Sequence, residues 1–155
     1  MSEQQLPVSL RRAVQTLRAA ALLAVAGAGA VVVDQAAGGG LAGRLRQAYP
    51  RRGAAEIDMA QSSILTYLFT LAVLGTALFA AMAWAGRRGR RWVRGTGAAV
   101  LVLGSVLAGY NFSQPHPLVM TLAGVVPCLV GLAAVAQLWT RESTAYFASR
   151  GGASA

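Results

Sequence analysis

Apolar residues in this chain come in long blocks, without the alternation of a half-buried strand or the one-sided stripe of a surface helix. Four blocks stand out, at 15–37, 64–85, 94–112 and 118–139. The second is the clearest, with 22 uncharged residues, and the first holds an uncharged run over 19–33. At 1.5 Å per residue, about 20 residues cross a hydrocarbon core roughly 30 Å thick, so each block is long enough to span. The third is the shortest and needs Trp92, Val93 and Arg94 at its interfacial end. Lipid offers no partner for an open backbone and four strands do not close a barrel, so the spans are expected to be helical. The pattern predicts an all-α integral membrane bundle of four transmembrane helices. It forms a single domain over 1–155, with short loops, an outer loop at 38–63 and a tail at 140–155.

The first block also carries the marks of a signal peptide: basic residues before an apolar run and small residues after it, with Arg11-Arg12 as a twin-arginine hint. Its length favours an uncleaved first helix.

Arginine sets the expected orientation. Three precede the first helix (Arg11, Arg12, Arg18) and four follow it (Arg44, Arg46, Arg51, Arg52). Five fill the connector between the second and third helices (Arg87, Arg88, Arg90, Arg91, Arg94), none lies between the third and fourth, and Arg141 and Arg150 are in the tail. The ten-to-four split places both termini in the cytoplasm by the positive-inside rule. The aromatic residues agree. Trp84, Trp92 and Trp139 fall at the ends read as cytoplasmic, Tyr67 and Tyr110 at the opposite ends, as two interfacial belts require. The five connector arginines are therefore expected to orient the protein and to rest on anionic lipid headgroups.

Composition narrows the chemistry. The chain is 55% hydrophobic and 12% charged, about half the charged fraction of a soluble domain. Its net charge of +9 would invite a nucleic-acid reading, but no folded reading module accompanies the arginines, so no nucleic-acid role is expected. Every basic residue of the Lys/Arg kind is Arg and none is Lys, which looks like the coding bias of a GC-rich genome and makes the arginines weak evidence of phosphate recognition. The lone Cys128 permits neither a disulfide within the chain nor a thiol pair. No charge lies in the middle of a span, where transport or proton chemistry would place one. Asp34 reads as an interfacial helix-end carboxylate, and Glu56 and Asp58 as favourable charges near a helix N-terminus. In the outer loop Leu41, Leu45 and Tyr49 are four apart, the pattern of a short amphipathic helix lying on the membrane and ended by Pro50. His116, between two prolines, reads as a turn residue, and Asn111-Phe112-Ser113 as a chance sequon. Gly104 with Ala108, Ser105 with Gly109, and the row Ala123, Pro127, Gly131 are small-residue surfaces for close helix packing, with Pro127 expected to kink the fourth helix.

The basic N-terminus, modest outer loop, arginine-rich connector and the tail "LWTRESTAYFASR" together resemble the uncharacterised small four-helix integral membrane proteins of high-GC bacteria. The resemblance covers most of the chain, is compositional, and implies no activity. The chain does not look like small multidrug exporters, which need a membrane-embedded Glu in the first helix. The expectation is a non-enzymatic multi-pass protein of the bacterial plasma membrane, without cofactor or metal. Its partners are the bilayer and a membrane-protein partner or second copy, in an accessory or scaffold role within an envelope complex. The alternative is a small permease whose path is lined by backbone, Ser/Thr, Asn111 and Gln137.

Overall fold

A computed structural model describes residues 6–38, 40–113 and 117–151. His116, between the third and fourth long helices, lies outside the described residues. The described chain is six helices: α1 (Val8–Ala36), α2 (Leu41–Ala48), α3 (Ala54–Arg87), α4 (Trp92–Phe112), α5 (Leu118–Leu138) and α6 (Arg141–Gly151). Four of them, Val8–Ala36, Ala54–Arg87, Trp92–Tyr110 and Leu118–Leu138, are long and apolar enough to cross a membrane. An all-helical bundle with four candidate spans is what lipid-exposed backbone demands, since each helix satisfies its own N–H and C=O groups.

Two boundaries differ from the sequence reading by more than two residues. α1 begins at Val8, seven residues before the expected 15, because its first turns carry Leu10, Ala13, Val14 and Leu17 on one buried stripe. α3 begins at Ala54, ten residues before the expected 64, so the last ten residues of the supposed outer loop are helix. Its 34 residues measure about 51 Å, well beyond the hydrocarbon thickness. The early turns are stabilised by Glu56 at the helix N-terminus and by Ile57, which is buried. α2 forms as expected, but Leu41 and Leu45 turn onto the bundle beside Val31, Ile57 and Met120. Only Tyr49 of that trio stays exposed, under the Arg52 guanidinium at 4.6 Å. α2 therefore covers one end of the bundle, where its two leucines lose more water contact than on a flat surface.

Around the bundle, α1 packs along both α5 and α3, and α4 lies against α5 while touching α3 only briefly. The α1–α5 seam is the closest: a Cβ on Gly27 would come 3.1 Å from Ala123 backbone atoms. At the next level Gly131 of α5 lies under the Phe79 ring, and Gly104 of α4 faces Cys128. Small residues let helix axes approach and gain dispersion contact, which replaces the hydrophobic drive that lipid removes. α5 runs as one helix through the buried Pro127.

The main core sits at the arginine-bearing end. Leu10 and Leu17 of α1, Met82 of α3, Val93 of α4, Leu138 of α5 and Phe147 of α6 are all buried there together. α6 had no counterpart in the expected elements. Thr140 caps it by accepting from the Ser143 N–H at 3.4 Å. Ser143, fully buried, donates to the Gln137 carbonyl at 3.0 Å and bonds Ser9 of α1 at 3.1 Å. These bonds and Phe147 fold α6 beneath the bundle. Replacing Phe147 with Ala should cost about 3 kcal/mol or more, and release α6 to proteolysis while the four long helices stay resistant. Unchanged protection of α6 would show that the polar bonds alone hold it.

Candidate functional site

The connector between α3 and α4 is built around Gly89. α3 ends there with φ of 68°, a left-handed conformation that glycine adopts without a Cβ penalty. The Arg90 N–H returns to the Ala85 carbonyl and that of Gly89 to Gly86, closing the helix end and reversing the chain. Four arginines thus leave one tight turn in different directions, and Arg94 follows one turn into α4.

They do different things. Arg88 lies over the Trp84 ring at 3.8 Å and Arg94 over Trp139 at 4.4 Å, so each of these arginines stacks on a tryptophan. Arg90 is exposed and Arg87 half-buried. Arg91 reaches α6: its Nε donates to the Phe147 carbonyl at 3.1 Å and its Nη2 to that of Ala148 at 3.2 Å. These carbonyls lie in the last turns of α6, where helix C-termini favour cations. Arg94 Nε is buried with no hydrogen-bond partner among the described residues. The sequence reading treated the five as interchangeable charges, but two donors on one planar fork are something Lys does not supply. Arg91→Lys should therefore loosen α6, by about 1 kcal/mol for one part-buried and one exposed bond, visible as faster amide exchange over 144–151. Equal exchange in Arg91→Lys and wild type would reduce Arg91 to its charge.

The belt residues separate along the helix axes. Trp84 and Tyr67 are 17 residues apart on α3, and Trp92 and Tyr110 are 18 apart on α4, about 25 and 27 Å of rise. Both spacings match a hydrocarbon core of roughly 30 Å. Trp84, Trp92, Trp139 and Tyr110 are exposed, and Tyr67 is half-buried. Tyr67 does not end its helix: α3 continues 13 residues past it, about 20 Å. There Gln61 donates to Gln35 at 3.1 Å, and Gln35 reaches Asp34 at 3.4 Å, tying the end of α1 to the projecting part of α3.

Between the long helices lies an apolar chamber of about 420 Å³. Ala24 and Ala28 of α1, Gly75 of α3, Gly104 of α4 and Cys128 of α5 line it, and among the described residues neither Gln137 nor a charged group does. At the arginine end it is closed where Gly97 meets Met82 and Val135, a Cβ there falling 3.1 Å from each. Val31 and Met120 close the other end under α2. Leu74 of α3, Leu103 of α4 and Leu129 of α5 line it yet are 60%, 61% and 59% exposed, so the chamber opens to the outside of the bundle. Among the described residues no three His, Cys, Asp or Glu side chains gather to hold a metal ion.

Comparison with known proteins finds no family model that matches the chain, no similar curated protein and no similar solved structure. What fold and surface define is a class: a helical, multi-pass membrane protein with four candidate spans.

Proposed function

We propose that the chain is a non-enzymatic multi-pass protein of the bacterial plasma membrane, an accessory or scaffold subunit of a larger envelope complex. In this reading both termini and the connector arginines face the cytoplasm and contact anionic headgroups. The observation that supports a subunit role is the isolation of α4. It rests on α5, grazes α3, and leaves Val102, Val106 and Tyr110 exposed along its outward face. A helix held on one side by its own bundle has a full face left for another membrane protein or a second copy.

Crosslinking in native membranes followed by purification tests this. A membrane protein recovered at fixed stoichiometry, and lost in Val106→Trp, supports the subunit role. A second reading, a small permease, is favoured by the chamber, although its lining fits apolar solutes and not the polar path through Gln137. Solute flux in proteoliposomes of the purified protein alone would replace the first reading with the second.

The orientation has its own check. Reporter fusions after Gly89 and after Gln114 should report opposite sides, with Gly89 cytoplasmic. Finding both on one side removes the four-span topology.

A further inference from the structure

We propose that Arg91 and Arg94, in the cleft between the start of α4 and the last turns of α6, form a binding site for a phosphate group. The phosphate is that of a lipid headgroup or of a soluble phosphate compound. Such a site narrows the proposed headgroup contact from the whole connector to two arginines, and rests on that reading for the lipid source alone.

The cleft is distinct from the apolar chamber and is lined by Arg91, Arg94, Trp139, Thr144, Phe147 and Ala148. Among these residues two are cations and none is acidic. Arg91 immediately precedes α4 and Arg94 follows it by three positions, a spacing that puts both on one side of a helix, where like charges repel. α6 does not relieve that repulsion. Its face on the cleft is Thr144, Phe147 and Ala148, with the cation Arg141 three positions earlier. Glu142 is two positions from Thr144 and so lies off that face.

Both side chains are positioned by the fold itself. Arg91 is fixed by its bonds to the Phe147 and Ala148 carbonyls, and Arg94 by the Trp139 ring. The Arg91 bonds take Nε and one N–H of Nη2, which leaves the Nη1 end of the fork to a ligand. Arg94 holds its Nε out of water, and the indole face offsets that desolvation only in part, so a nearby anion is favoured. Immobilising long side chains is a large cost of binding, and two arginines already held in place reduce it. The donors select phosphate over carboxylate. A carboxylate has two oxygens in one plane and is satisfied by one fork, whereas a tetrahedral phosphate offers oxygens to two. The Thr144 hydroxyl donates to the Thr140 carbonyl at 2.9 Å, so recognition falls on the guanidiniums.

The full chain is purified in maltoside micelles, which carry no phosphate, and titrated by calorimetry with inorganic phosphate and with phosphatidic acid. Saturable binding of at least one probe is expected, with acetate and oleate failing to displace it. Phosphatidic acid bound alone assigns a headgroup, inorganic phosphate bound alone a soluble ligand, and mutual displacement a site open to both. Arg94→Lys keeps the charge and leaves the Arg91 bonds to α6 in place, yet should weaken binding about tenfold through loss of the fork. Thr144→Asp sets a carboxylate between the cations and should abolish binding. Amide exchange over 144–151 checks that α6 stays docked in both variants. Arg44→Lys with Arg46→Lys, exposed on α2 at the other end of the bundle, should bind as wild type does. The inference is overturned by no saturable binding of either probe, by carboxylates bound as tightly, or by both cleft variants binding normally. An equal loss in the α2 variant overturns it too, since charge anywhere on the protein would then suffice. The fusions after Gly89 and after Gln114 read the proposed orientation independently, so each reading fails without the other.

Discussion

Replacing Arg87, Arg88, Arg90, Arg91 and Arg94 together with Gln is expected to make the protein insert in both orientations. The proposed cytoplasmic side carries ten arginines against four, and the change leaves five against four. With that near-balance the positive-inside bias disappears. Near an anionic leaflet each arginine contributes on the order of 1 kcal/mol, so about 5 kcal/mol of preference is removed, less where salt screens it. Fusions after Gly89 and after Gln114 should then each report on both sides, and membrane yield should fall. The corresponding five-Lys variant should keep a single orientation, because the bias depends on charge. That variant should still lose the grip of Arg91 on α6, which depends on the fork. The two effects are thus separable in one pair of variants. A Gln variant that keeps one orientation would mean that α1's Arg11, Arg12 and Arg18 orient the protein and the connector does not.

The four long helices were legible because hydrophobic runs of about 20 residues have few alternative meanings, and the cluster of five arginines stood out against them. The helix boundaries were less so. Glu56 and Asp58 marked a helix start, but charges were read as the edge of a membrane span, whereas α3 continues past the bilayer thickness with Ile57 packed under α2. α6 carried a visible signal in Thr140, a helix-capping residue three positions before Ser143. What the sequence did not carry was its fold beneath the bundle, since Phe147 in the core depends on where α1 begins and α3 ends. The roles of the arginines were illegible for the same reason: Arg88, Arg91 and Arg94 differ by the tryptophan or carbonyl each meets in space. The chamber, too, appears in no motif. It exists because α4 leans on α5 and leaves α3, and Ala/Gly-rich helices look alike whether they touch or part.

Gly27 and Gly29 lie two residues apart on α1, and the same substitution is expected to have opposite consequences at them. A Cβ on Gly27 would fall 3.1 Å from the Cα, Cβ and carbonyl oxygen of Ala123, whereas on Gly29 it meets nothing within 4 Å. Leu at 29 points outward among lipid tails and should change stability little. Leu at 27 must drive its remaining carbons into the α5 backbone, which has no rotamer with which to yield, so the helices must separate. Overpacking costs about 1–3 kcal/mol where side chains can adjust, and Gly27→Leu belongs at or beyond the upper end. The loss spreads, because α1 is the one helix packed along both α5 and α3 and supplies Ala24, Ala28 and Val31 to the chamber wall. In mild detergent Gly27→Leu should unfold at markedly lower SDS than wild type, and Gly29→Leu should match it. If the two variants unfold alike, the α1–α5 seam does not close as tightly as 3.1 Å implies, and α1 is held mainly by the core at the arginine end.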